Sequence, residues 1–125
     1  MQIKIKRLHE NAVLPVRSSD TSMCFNITAA SMQESPVSVT CGSGWQFNLP
    51  DDVWAEVHAM PDLWKTGLVF CNGCDILDST CTDELKMHFY KVYAGVPYGT
   101  GSVFARLIFH NFHSIKPEEV TFDVQ

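Results

Sequence analysis

Basic residues are scarce in this sequence. The 125-residue chain contains nine lysines and arginines against 14 acidic residues, for a formal net charge of -5. Proteins that bind nucleic acid broadly gain much of their affinity from the counterions that their basic side chains displace. We therefore expect no DNA or RNA partner, although locally placed donors could still hold a small anionic ligand.

Long hydrophobic runs are absent as well. No apolar stretch approaches the roughly 18 residues that a membrane-spanning helix needs. The first residues alternate isoleucine with lysine and so lack the apolar stretch of a secretory signal peptide. The sequence thus predicts a cytoplasmic protein with no membrane partner. Five cysteines, an odd number in a reducing compartment, are predicted to be free thiols.

Alternation of apolar and polar residues is the dominant pattern, and it is typical of β-strands with one face on a core. On the last such strand, Phe104 and Arg106 are expected to lie opposite the core face. Turn residues separate many short runs, which predicts a single all-β domain over residues 1–125, a sandwich or jelly roll. The alternating core sets are Trp45, Phe47 and Leu49; Leu85, Met87 and Phe89; and Val103, Ala105, Leu107 and Phe109.

The segment from Asp51 to Trp64 fits either a helix or a strand. As a strand it places Val53 and Val57 on one face and Trp54 on the other. We favour the strand because its neighbours are β-rich and because Pro61 ends the run.

Four stretches resemble, in order and spacing, the trimeric dUTPase family. The resemblance covers nearly the whole chain and implies a dUTPase-like β-sandwich, or distorted jelly roll. It also implies a homotrimer with sites at the subunit interfaces and an exchanged C-terminal strand, here near residues 120–124. The four stretches are residues 3–15, 44–57, 72–85 and 101–109.

The third stretch, NGCDILDSTCTDEL, resembles the family's nucleoside-binding hairpin. By this resemblance Asp78 matches the general base that activates water, and Asn72 matches a residue at the uracil edge. Cys81 replaces the tyrosine that packs under the deoxyribose. Asp75 stands where glycine lets the backbone approach the base. Gly73 and Cys74 complete this part of the implied ligand site.

The remaining family motifs depart further from the pattern. Asp62 falls where an arginine holds triphosphate oxygens, and a carboxylate repels phosphate where a guanidinium binds it. Trp64 and Lys65, in this shortened region, are predicted ligand contacts. Arg106, on the last strand, is predicted to reach an anion or to form a surface ion pair.

Further family features are replaced or lacking. Asn26 stands in place of the first motif's aspartate, and Val103 and Arg106 replace an arginine and a glutamine. The family's glycine-rich C-terminal arm is expected to be lacking. These changes favour a non-catalytic protein, viral by resemblance, that holds or sequesters a nucleotide or nucleotide-derived signal and so evades host defence.

Two other functions stay open. A divergent dUTP diphosphatase would use Asp78 as base and Mg²⁺ on the phosphates; without that activity we expect no cofactor. A protein-interaction module would instead bind a host protein.

A zinc site of Cys71, Cys74, His110 and His113 is conceivable. We favour turn and strand-end roles for these residues and expect no metal ligands, because their spacing fits no common zinc finger.

Overall fold

The structure is a computed structural model that describes residues 2–113 and 115–121. It confirms the all-β prediction, because ten strands and one short 3-10 helix (Leu63–Thr66) make up its regular structure. All five cysteines are free. In chain order the strands are β1 (Lys4–Arg7), β2 (Val16–Arg17), β3 (Phe25–Thr28), β4 (Ser31–Glu34), β5 (Ser38–Asn48), β6 (Val53–Ala59), β7 (Leu68–Phe70), β8 (Cys74–Leu77), β9 (Glu84–Lys91) and β10 (Val103–Asn111).

Two antiparallel sheets of five strands each form the domain. The first follows the order β1-β5-β9-β7, with β4 beside β1 on the same edge of β5. The second follows the order β2-β3-β10-β6-β8. Most neighbouring strands are distant in sequence, as in jelly rolls, and β8 forms one edge of the second sheet.

The core lies between the sheets and contains the predicted alternating sets, with the exception of the first residue of the last strand. Trp45, Phe47, Leu85, Met87 and Phe89 are all buried. Full burial of each such side chain stabilises the fold by about 1.5–3 kcal/mol. The two sheets therefore share one hydrophobic core, as a β-sandwich requires.

The strand prediction for the ambiguous segment is confirmed. Strand β6 buries Val53 and Val57 and leaves Trp54 half-exposed, and the chain turns after Met60 into the 3-10 helix. The prediction for β10 is wrong at its start. Val103 is exposed and Phe104 is buried, because a bulge between Val103 and Ala105 shifts the pairing with β3; from Ala105 onward the strand follows the prediction.

The C-terminal segment contributes no strand among its described residues 115–121. Ile115 is 86% exposed and Val120 is 56% exposed. The predicted exchanged strand, residues 120–124, lies mostly outside the described residues. No helix long and apolar enough to cross a membrane occurs in the part of the chain that the structure describes.

Candidate functional site

Strand β8 carries most of the sequence-predicted site along one edge of the second sheet. Asn72 and Gly73 lie in the turn before β8, and Asp78 follows its last residue. At about 3.3 Å per residue, the strand spans roughly 10 Å. Only β6 pairs with it among the described strands, so its outer backbone edge has free donors and acceptors that an extended ligand could use.

The turn before β8 needs a residue with a positive φ, and the sequence has Gly73 there. Gly73 adopts φ 72° and is exposed, and a side chain at this position would meet no atom within 4 Å. The Cys74 amide donates to the Asn72 carbonyl at 2.8 Å, which leaves the exposed Asn72 side chain available to a ligand. The backbone conformation, and not crowding, is what requires glycine here.

Asp78 stabilises the loop that follows β8. Its Oδ1 accepts hydrogen bonds from the Thr80 hydroxyl at 2.5 Å and from the Thr80 amide at 2.9 Å, and the Cys81 thiol lies 3.7 Å away. The hydroxyl bond, followed by the amide bond, lowers the pKa of Asp78. A general base works best with a pKa near the working pH. The lowered pKa moves Asp78 away from that range.

The predicted ligand contacts Trp64 and Lys65 lie on the short 3-10 helix. Trp64 is 62% exposed, and the Lys65 ammonium lies 6.0 Å from the centre of its ring. Asp62, the residue just before the helix, is also exposed. A flat aromatic surface beside one cation is thus present, but Asp62 adds negative charge where a triphosphate would need positive charge.

The loop at 92–98 packs tightly on this helix. The Val96 amide donates to the Lys65 carbonyl and the Val92 amide donates to the Gly67 carbonyl, both at 2.8 Å. Gly67, at φ 83°, lies directly against the main chain of Tyr93. The 92–98 loop therefore holds the 3-10 helix firmly in place.

The three arginines differ in the hydrogen bonds that their guanidinium groups make. Arg7 donates to the Ala12 carbonyl at 2.5 Å and lies over the Trp45 ring at 4.7 Å. Arg17 donates to the Asp20 carbonyl at 3.3 Å. In Arg106, by contrast, Nε is buried and has no hydrogen-bond partner in the described residues. An unpaired buried donor of this kind is uncommon in folded proteins and distinguishes Arg106 from Arg7 and Arg17.

Arg106 belongs to a row of side chains across the outer face of the second sheet. Its register partners are Asn26 on β3 and His58 on β6, and His58 pairs in turn with Cys74 on β8. The structure therefore brings Arg106 and Cys74 to opposite sides of His58. Trp64 and Lys65 lie on a separate element, and Asp78 lies at the far end of β8 from Cys74.

The structure does not bring together the four residues of the zinc alternative. The Cys71 amide donates to the His88 carbonyl on the first sheet, and His113 is exposed beyond β10. Cys74 instead lies beside His58, with Sγ 3.8 Å from Nε2. His110 contacts Glu56, with Nε2 2.7 Å from Oε2.

Glu56 and His58 were not among the site residues predicted from the sequence. Period-2 alternation places both on the outer face of β6, but only the pairing of β6 with β8 brings them to Cys74. That pairing depends on the hydrophobic pattern of the whole sheet and is not visible within either strand alone.

Solved dUTPases of staphylococcal phages have a similar fold. The dUTPase from phage phi11 of S. aureus matches with a TM-score of 0.81 at 16% identity, over 98% of each chain. A mutant of the Staphylococcus bacteriophage 80alpha dUTPase matches with a TM-score of 0.80 at 15% identity, over 98% of this chain and 99% of that chain. A mutant phi11 dUTPase, described with a structural Mg(II) ion, matches at 15% identity with a TM-score of 0.80, over 99% of this chain and 100% of that chain.

These comparisons establish the fold: the chain has the β-fold of the phage dUTPases. No family model matches the sequence, and neither does any curated protein. The fold predicted from the resemblance is therefore confirmed.

Proposed function

We propose that this protein binds a nucleotide or a nucleotide-derived signalling molecule along β8 without cleaving it. The carrying observation is the state of Asp78, whose Oδ1 is held by the Thr80 hydroxyl and amide and whose pKa is lowered. Both Thr80 bonds engage the oxygen that would accept a proton from water, and the lowered pKa moves Asp78 further from the working pH that favours a general base.

The charges around the proposed site also favour binding over hydrolysis. Phosphoryl transfer depends on cations that neutralise the developing charge on the phosphate oxygens. The positive charge of Lys65, on the 3-10 helix, is offset by Asp62 just before that helix. Arg7 and Arg17 donate hydrogen bonds to backbone carbonyls elsewhere. Asn72 and the free edge of β8 remain available to recognise a base by hydrogen bonds.

A homotrimer is part of this proposal. An apolar groove of about 440 Å³ opens between the sheets, and its lining includes Ile5, Phe25, Phe47 and Phe109. The described C-terminal residues 115–121 form no strand and are exposed, Ile115 among them. A C-terminal strand from a neighbouring copy, laid in this groove, would cover the apolar lining of one subunit and the apolar tail of another.

Native mass spectrometry of the full chain tests the binding proposal. The panel contains dUTP, dUMP, uridine nucleotides and cyclic dinucleotides, and we expect one unaltered ligand per chain. Asn72→Ala should weaken binding about tenfold, the value of one ligand hydrogen bond. Asn11→Ala, an exposed asparagine of another turn, is the matched control. Absence of binding across the panel would remove the proposal.

A regulatory role toward a host protein is the second candidate. The 80alpha dUTPase is described as controlling transfer of virulence genes by a G protein-like mechanism, and its SaPI-inducing capacity has been examined alongside its enzymatic activity. Proteins of this fold thus include enzymes with signalling roles. If this chain captures one host protein and nucleotide displaces it, both roles would use the same site. If nucleotide has no effect on the capture, the two roles would be independent.

A further inference from the structure

Three metal-binding side chains meet on the outer face of the second sheet. His58 and Cys74 are direct register partners on β6 and β8, and Glu56 precedes His58 on the same face. The Nε2 atom of His58 lies 3.4 Å from Oε1 of Glu56 and 3.8 Å from Sγ of Cys74. All three donor atoms lie within 4.8 Å of one another.

We propose that Glu56, His58 and Cys74 bind a Zn²⁺ ion whose fourth position is taken by water. Tetrahedral zinc bonds place a nitrogen and a sulfur ligand about 3.6 Å apart, and a nitrogen and an oxygen ligand about 3.4 Å apart. The corresponding separations in this structure are 3.8 Å and 3.4 Å. The strands therefore already hold the donors at zinc spacing, and small side-chain rotations complete the site.

The donor set selects the kind of metal. A thiolate, an imidazole and a carboxylate suit zinc, whereas Mg²⁺ takes oxygen ligands and keeps several waters. The thiolate and the carboxylate together neutralise both charges of the ion. Arg106, the register partner of His58 on the other side, therefore faces a site without net charge.

A second layer of side chains orients Glu56. His110 donates from Nε2 to Oε2 of Glu56 at 2.7 Å, and the Trp54 ring stacks on His110 with centroids 4.5 Å apart. This hydrogen bond engages Oε2 of Glu56 and leaves Oε1 facing His58. Partners of this kind fix the orientation of metal ligands in zinc sites.

A zinc ion here would fasten the edge strand of the sheet. Strand β8 is short and pairs only with β6 among the described strands. A bond from Cys74 through the metal to Glu56 and His58 ties β8 to β6 at the end nearest Asn72. The inference rests on these contacts alone and is independent of nucleotide binding.

Cobalt substitution of the full-length protein tests the site. After chelator treatment in reducing buffer, one equivalent of Co²⁺ should produce tetrahedral cobalt bands and a thiolate-to-cobalt charge-transfer band, and Zn²⁺ should displace it. In Cys74→Ser the charge-transfer band should vanish. The zinc Kd should then rise by more than the roughly 10–100-fold that loss of an outer-layer partner costs.

Cys71→Ser is the matched control, because Cys71 lies three residues away but joins the first sheet through its amide. It should keep the cobalt spectrum and the zinc affinity of the unaltered protein. His110→Phe should keep the charge-transfer band but weaken zinc binding about 10–100-fold. A missing thiolate band in the unaltered protein, a band that survives Cys74→Ser, or a band lost in Cys71→Ser would overturn the proposal.

Discussion

The Thr80 hydroxyl donates a hydrogen bond to Oδ1 of Asp78 at 2.5 Å, and the Thr80 amide donates to the same oxygen at 2.9 Å. The carboxylate that the dUTPase resemblance assigns to catalysis is thus part of a local turn. Both bonds stabilise the ionised form and lower the pKa of Asp78. This geometry gives Asp78 a structural role in the turn, whatever its part in chemistry.

Removal of the Thr80 hydroxyl should raise the pKa of Asp78. In Thr80→Val the strongest of the stabilising hydrogen bonds is lost while the amide bond remains. The Asp78 carboxyl carbon, followed by NMR during a pH titration, should therefore change its shift at higher pH than in the unaltered protein. Thr82→Val, in the same loop, is the control and should leave the titration unchanged. An unmoved Asp78 titration in Thr80→Val would contradict the assignment.

The same bonds should make stability depend on acid. The folded-state pKa of Asp78 is depressed, so its contribution is present above the ordinary aspartate pKa of about 3.9 and is lost as pH falls through the lower folded value. The difference in unfolding free energy between the unaltered protein and Thr80→Val should be largest near neutral pH and should shrink in strong acid. Urea unfolding at several pH values measures this free-energy difference. A difference that grows in acid would contradict a lowered folded-state pKa for Asp78.

The bulge in β10 makes a clear prediction about its first two residues. Phe104 is 1% exposed and meets Phe89 edge to face, whereas Val103 is 38% exposed. Phe104→Ala should lower the free energy of unfolding by about 3–5 kcal/mol, and Val103→Ala by no more than about 1 kcal/mol. Urea unfolding of both variants distinguishes this register from simple alternation, which predicts the opposite order.

Two glycines with similar backbone angles should respond differently to alanine. Gly67 and Gly73 have φ 83° and 72°, so alanine is strained at both, by about 1–2 kcal/mol. At Gly67 the added methyl would also collide with the main chain of Tyr93, whereas at Gly73 it meets nothing within 4 Å. We expect Gly67→Ala to cost more than about 4 kcal/mol. Equal losses in urea unfolding would show that the 92–98 loop does not pack on the helix.

Much of the fold was predictable because the core alternates strictly with period 2. Trp45 and Phe47 in β5, and Met87 and Phe89 in β9, lie in the core as the pattern requires. The pattern fails at Val103 and Phe104, because a bulge inserts an extra residue there, and it holds again at Ala105 and Leu107.

The candidate site was less predictable, because its parts meet only through strand pairing. The turn glycine at Gly73 and the loop aspartate at Asp78 could be located from a local motif. The meeting of His58 with Cys74 depends on the register between β6 and β8, which the local sequence of either strand does not encode.

Phosphorus NMR of dUTP mixed with the full chain and Mg²⁺ tests the central claim most directly. Binding without hydrolysis predicts that the three phosphate resonances shift or broaden and then keep their intensity, with no dUMP or pyrophosphate signals. Steady growth of dUMP and pyrophosphate signals that disappears in Asp78→Asn would contradict the claim, because it would show Asp78 acting as the catalytic base.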